Sequence, residues 1–124
     1  MKAAARHRPG VMNKTEAAYA LVLMGRKAMG EIREWRFEPL KLKLAKATYY
    51  TPDFMVIDRD GLIELVDVKH MRKDKGGTYR IHKEDDAAVK IKVAARAFPE
   101  FLFVLAAKRP RAVGDGWVYE EVTP

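Results

Sequence analysis

Two apolar runs in the middle of the chain constrain the fold most. One opens at Thr51-Pro52-Asp53-Phe54 and continues to Ile57; the other covers Leu62 to Val68 and closes in Asp67-Val68-Lys69-His70. Between them stands Asp58-Arg59-Asp60-Gly61, a turn composition. The spacing predicts a hairpin of two core strands with charged residues at the ends facing away from the turn. Alternation along a strand puts residues i and i+2 on one face, so Asp67 and Lys69 project together. The same parity puts Glu64 with Leu62, Val66 and Val68 on the other face, which rejects it as a partner of Asp67. Charges buried at the end of a core strand are costly unless they pair or hold a metal.

The flanking sequence predicts an α-β-β-β-α-β-β order in one domain, residues 12–124, preceded by a flexible basic arm, residues 1–11. The first helix starts near Asn13, with Glu16 in capping-box spacing, and runs to Gly30. Ala17, Ala20, Leu21, Met24 and Ala28 recur along it at helical intervals, and Ala20 and Leu23 share a stripe with Glu16. Near-alternation over residues 32–44 reads as a strand or hairpin, broken or edged at Pro39. Residues 49–57 read as one strand, and residues 70–80, rich in Lys, Arg and Gly, as a mobile loop. A second helix is expected over residues 83–98, with Ala87, Ile91, Ala94, Ala95 and Phe98 on one stripe and Pro99 as its stop. The continuous apolar run over residues 101–107 reads as a strand buried on both faces, and residues 117–122 as an edge strand. Trp35 and Trp117 read as packing residues.

Composition narrows the function classes. The 124 residues suffice for one modest core, and 24 Lys+Arg against 17 Asp+Glu give a net charge of +7. Such a balance suits a polyanionic partner, because lysines and arginines displace counterions condensed on nucleic acid. With no cysteine, thiolate-bound zinc and disulfides are excluded. No apolar run approaches the roughly 18 residues of a spanning helix, and the basic N-terminus lacks the apolar core of a secretory signal. The expectation is a cytoplasmic protein with no membrane and no small-molecule cofactor.

Hydrolysis of a phosphodiester needs charge stabilised on the attacking and leaving oxygens, and Mg²⁺ does this with oxygen ligands, one or two of them carboxylates. Asp53 and Asp67 on adjacent strands would supply the carboxylates, the Val68 carbonyl a further ligand, and Lys69 a cation to orient water or offset phosphate charge. Glu16 is balanced between a helix cap with Asn13 and a site carboxylate. The basic segment after Lys69, with Arg72, Lys73, Lys75 and Arg80 around Gly76-Gly77, is placed to grip a phosphate backbone. Tyr79, His70 and His82 are weaker contact candidates.

Pro52-Asp53 followed fourteen residues on by Asp67-Val68-Lys69 resembles the signature of the PD-(D/E)XK nuclease superfamily. Asn13-Lys14-Thr15-Glu16-Ala17-Ala18-Tyr19 and Gly30-Glu31-Ile32 extend the likeness, which looks like a small phage-encoded family alongside archaeal-type Holliday junction resolvases and transposon end-cleaving endonucleases. The resemblance covers about residues 12–108 and departs in having Asp67 where glutamate is commoner. It implies a restriction-endonuclease-like α/β core with a mixed central sheet flanked by helices. It implies a Mg²⁺-dependent (or Mn²⁺-substituted) DNA endonuclease, selective for branched DNA such as a Holliday junction, in phage recombination, replication or packaging within the bacterial host. A glutamate on the first helix joins the metal site there, which moves Glu16 towards a site role, and the second helix covers the site there, which implies that Lys83 and Lys90 flank it as DNA contacts. Paired cuts on a four-way junction would call for a homodimer, built through the strand over residues 32–44 or the terminal strand. The alternative is a non-catalytic DNA-binding module on the same fold.

Overall fold

The computed structural model describes residues 10–124, so most of the expected basic arm lies outside the described residues. In chain order the elements are α1 (Lys14–Ala28), β1 (Ile32–Phe37), β2 (Leu42–Ala45), β3 (Thr48–Tyr50), β4 (Phe54–Asp58), β5 (Ile63–Lys69), β6 (Met71–Lys73), β7 (Tyr79–Ile81), α2 (Asp85–Ala97), β8 (Leu102–Lys108) and β9 (Trp117–Glu121), with a 3₁₀ turn at Arg111–Val113. The protein is α/β: a mixed five-stranded sheet of order β1-β4-β5-β8-β9, with α1 on one face and α2 on the other. Only the β5–β8 pair is parallel, and α2 makes the crossover between them. β1 and β9 are the two edges. No helix among the described residues is long and apolar enough to cross a membrane.

Local chemistry explains the frame. Asn13 caps α1 through a reciprocal box: its side-chain oxygen accepts from the Glu16 N–H at 2.8 Å, and Glu16 Oε1 accepts from the Asn13 N–H at 2.8 Å. The β4–β5 register is pinned by its turn. Asp58 Oδ1 accepts from the N–H groups of Asp60 (2.8 Å) and Leu62 (2.9 Å), and Gly61 takes a φ of 88°, open to glycine at little cost. Alternation then divides the core. Phe54, Val56 and Val66 pack under Tyr19, Ala20 and Leu23 of α1, while Leu65, Phe103 and Leu105 pack under Ile91, Ala94 and Ala95 of α2. Trp35 and Trp117 pack against the α1 side.

Several expectations are corrected. Residues 49–57 form two strands, not one, because Pro52 cannot donate to a ladder and the chain bends over residues 51–53 between β3 and β4. Residues 32–44 likewise split at Pro39 into β1 and β2, and β2 leaves the main sheet to pair with β3. The segment read as a mobile loop is the β6–β7 hairpin, in register Met71↔Ile81 to Lys73↔Tyr79. Its turn is held by Asp74, whose Oδ1 accepts from the Thr78 N–H at 2.9 Å. On α1, Leu21 and Met24 are exposed; Tyr19 and Leu23 take the buried stripe.

Candidate active site

The register of β4 and β5 determines what meets at their open end. Phe54 pairs with Val66, so the next position on each strand sets Asp53 across from Asp67. Each aspartate binds the other's segment: Asp53 Oδ2 accepts from the Val68 N–H at 2.8 Å, and Asp67 Oδ1 takes a long 3.4 Å contact from the Asp53 N–H. On the β1 side, the Glu38 N–H donates to the Asp53 carbonyl at 2.8 Å. Asp53 is thereby held from three directions.

Pro52 has a further consequence. Continued one step, the register sets Pro52 opposite Val68, at a position where an antiparallel pair would exchange both hydrogen bonds. Proline has no N–H to give the Val68 carbonyl, and the Val68 N–H has turned to the Asp53 carboxylate instead. The Val68 carbonyl thus faces the carboxylates without a ladder donor from β4. It is the atom that the chemistry of a hard cation would use.

Electrostatics bind the group together. Burial, the Asp67 charge and the nearby Glu16 push the Asp53 carboxyl up to about 8, against a favourable bond from the Val68 N–H. Asp67 is buried and also raised, by desolvation first, with the Lys69 ammonium opposing. The Asp67 charge is second only to burial in disfavouring ionisation of Asp53. Glu16, buried on α1, lies within hydrogen-bonding reach of Asp53 while Oε1 serves the Asn13 cap. The cap expected from sequence is formed, and the same carboxyl stands near Asp53. Glu64 stands on the α1 face beyond Val66, beside Arg26, apart from the pair.

Tyr50 was not singled out from sequence. It ends β3, buried against Phe103, with its hydroxyl directed at Asp67. The contact falls short of a full hydrogen bond, leaving a buried hydroxyl unsatisfied beside a buried acid. An aromatic residue in a short β run carries no local signal for such a role.

The remaining candidates separate. Lys69 is half-buried on the Asp67 face and lines a crevice of about 40 Å³ against α2 with Lys83, Ala88 and Lys92. Lys83 pairs with Glu120, and Arg80 with Asp74 at 3.0 Å, so neither is a free cation. Lys73 sits 5.9 Å from the centre of the Tyr79 ring. Arg72 and Lys75 are exposed on the β6–β7 hairpin, and Lys90 is exposed on α2 away from the Lys69 crevice. His70 and His82 face each other at 5.0 Å across the base of the hairpin; partial burial and then the His82 charge lower the His70 imidazole.

The oxygen donors of Asp53 and Asp67, with the Val68 carbonyl and Glu16 nearby, are of the chemical type a hard divalent cation takes. Among the described residues no three His, Cys, Asp or Glu side chains group closely enough to hold a metal ion by themselves. Asp53 also opens onto a cleft of about 640 Å³ bordered by Phe37, Lys41 and Thr51. A second cleft, of about 400 Å³, lies at the opposite end of the sheet around Pro99 to Phe103, away from the carboxylate group.

No family model matches the chain, and no curated protein matches it. Among solved structures, the crystal structure of SSO0001 is similar over 89% of this chain and 53% of that one, at 14% identity and a TM-score of 0.43. The chain spans about half the length of that neighbour, and a likeness at this level carries no argument.

Proposed function

We propose that the protein is a metal-dependent DNA endonuclease of the PD-(D/E)XK kind, using Mg²⁺ or Mn²⁺, with branched DNA as substrate. The observation that carries this reading is the convergence of Asp53 and Asp67 at the open end of β4–β5, with Asp53 pushed up to about 8 and Lys69 on the Asp67 face. Perturbed carboxyls beside an open cleft are the pattern of a working site rather than of a structural salt bridge. Asp53, Asp67, Glu16 and the Val68 carbonyl would hold the ion. When bound, it would stabilise charge on the oxygens of the phosphodiester.

The protein's own groups do the rest. Lys69 offsets the charge of the phosphate and orients the attacking water, its position fixed by packing along α2. Glu16 flanks Asp53 from the helix end, and the Tyr50 hydroxyl lies beside Asp67. Paired cuts on a four-way junction would need a second copy, for which the β1 and β9 edges are open. Incubation with linear, flapped and four-way DNA in Mg²⁺ tests the reading. The wild type is expected to cut, with the branched forms cut fastest. Asp53→Ala and Asp67→Ala should each lose cleavage by about a thousandfold or more while remaining folded. Cleavage by either variant near the wild-type rate would dismiss the site.

A further inference from the structure

We propose that the outward face of the β2–β3 hairpin binds the phosphate backbone of duplex DNA, with Lys41, Lys43 and Lys46 on phosphates and Tyr49 against a sugar or base. The inference rests on the endonuclease reading and adds to it the surface that holds the substrate.

Alternation establishes which side chains are available. Leu42 and Tyr50 are cross-strand partners, both buried, in the cluster with Leu65 and Ile91 beneath α2. The neighbouring pair, Lys43 and Tyr49, must project to the other side, and both are exposed, Tyr49 by 45%. Lys41 shares the parity of Lys43, and Lys46 stands in the two-residue turn between Ala45 and Thr48. That turn is tight, with Ala47 at a φ of 55°, and Lys46 stands exposed at its tip. None of the three lysines enters an ion pair with another described residue.

Position supplies the second argument. The hairpin is rooted at the carboxylates: Lys41 before β2 and Thr51 after β3 line the same cleft as Asp53. From Lys41 to Lys46 the chain covers about 16 Å at strand rise, or about five base pairs of duplex. A row of uncompensated lysines leading out of a metal-type carboxylate site, with an exposed aromatic ring among them, fits nucleic acid. An acidic protein or an anionic membrane would have no reason to align with that cleft.

The test is a Lys41→Gln/Lys43→Gln/Lys46→Gln variant, binding a fluorescein-labelled 30-base-pair duplex in EDTA, read by anisotropy over a series of KCl concentrations. Binding at low salt should weaken by about tenfold or more, and the slope of log affinity against log salt should fall by about 2 to 3, close to 0.9 per lost phosphate contact. The thermal midpoint should not move, because the three side chains are exposed. Tyr49→Ala alone should weaken binding several-fold with the salt slope unchanged. If the wild type binds and cuts DNA but the triple variant keeps its affinity and slope, this inference fails and the endonuclease reading stands. A wild type that binds no duplex at any salt would sink both, as would one that prefers phosphatidylserine vesicles to DNA.

Discussion

Two small basic hairpins rise near the candidate site, and they differ in what their charges do. On β6–β7, Arg80 is held by Asp74 and Lys73 lies over Tyr79, which leaves Arg72 and Lys75 outside any ion pair among the described residues; just beyond the hairpin Lys83 is held by Glu120. On β2–β3, Lys41, Lys43 and Lys46 have no ion-pair partner among the described residues and share their outer side with an exposed tyrosine. β6–β7 follows directly on Lys69 in the chain, whereas β2–β3 borders the Asp53 cleft in space. The number of basic residues in a segment is therefore a poor guide to the charge it offers a partner. What counts is whether an acid or a ring already satisfies it, and exposed pairs give up little stability when broken.

That contrast is sharpest when binding and catalysis are separated. Lys69→Ala should slow cleavage by about a hundredfold or more, with duplex affinity within about twofold of wild type, since the Lys69 side chain lies beside Asp67 and not on either hairpin. Single-turnover cleavage and anisotropy on one preparation check it. Equal losses in both would make Lys69 another phosphate contact and blur the division. A smaller effect is expected from replacing Arg72, Lys73 and Lys75 together with alanine. Affinity should fall only about three- to tenfold, less than for the β2–β3 lysines, with a salt slope reduced by about 1 to 2. A larger loss than on β2–β3 would reverse the comparison.

The carboxylates between the hairpins make the smallest shift, in stability. Asp53 keeps its proton in the folded protein up to about 8, against an ordinary value of 3.8 for an aspartate. Between those values the unfolded chain has released a proton that the folded one retains. Stability of the metal-free protein should fall as pH rises through that window and level off above it. Asp53→Asn keeps an acceptor for the Val68 N–H and removes the charge, so it should flatten the decline and raise the thermal midpoint at pH 8 by several degrees. A wild-type midpoint constant from pH 4.5 to 8.5 would mean the carboxyls are not crowded.

The parts legible in the sequence were those set by local spacing. Asn13 and Glu16 announce α1 because a capping box needs only residues three apart. Asp53 and Asp67 could be brought face to face because the Asp58–Gly61 turn and strand parity together fix a register. Glu64 was set on the opposite face by the same parity. The break at Pro52 was harder: a proline can open a strand or divide two, and here the separate β2–β3 sheet decides. The β2–β3 turn escaped because Lys46-Ala47 has neither glycine nor asparagine to mark its left-handed residue. The β6–β7 strands hid in a Lys- and Gly-rich stretch whose ordering comes from Asp74. Tyr50, Lys41 and Lys92 reach their places through packing between segments distant in the chain, which no local pattern records. Leu21 and Met24 had helical spacing but the wrong side, since the sheet covers only the stripe through Tyr19, Ala20 and Leu23.

The central claim is that Asp53 and Asp67 form a divalent-cation site, and calorimetric titration of Mn²⁺ into the metal-free protein at pH 7 tests it most directly. In buffers of different ionisation enthalpy, one ion per chain should bind with release of about one proton, because Asp53 must give up the proton it holds at pH 7. Asp67→Asn should abolish the binding while leaving the protein folded. No heat at millimolar Mn²⁺, or an unchanged isotherm in Asp67→Asn, would contradict the account.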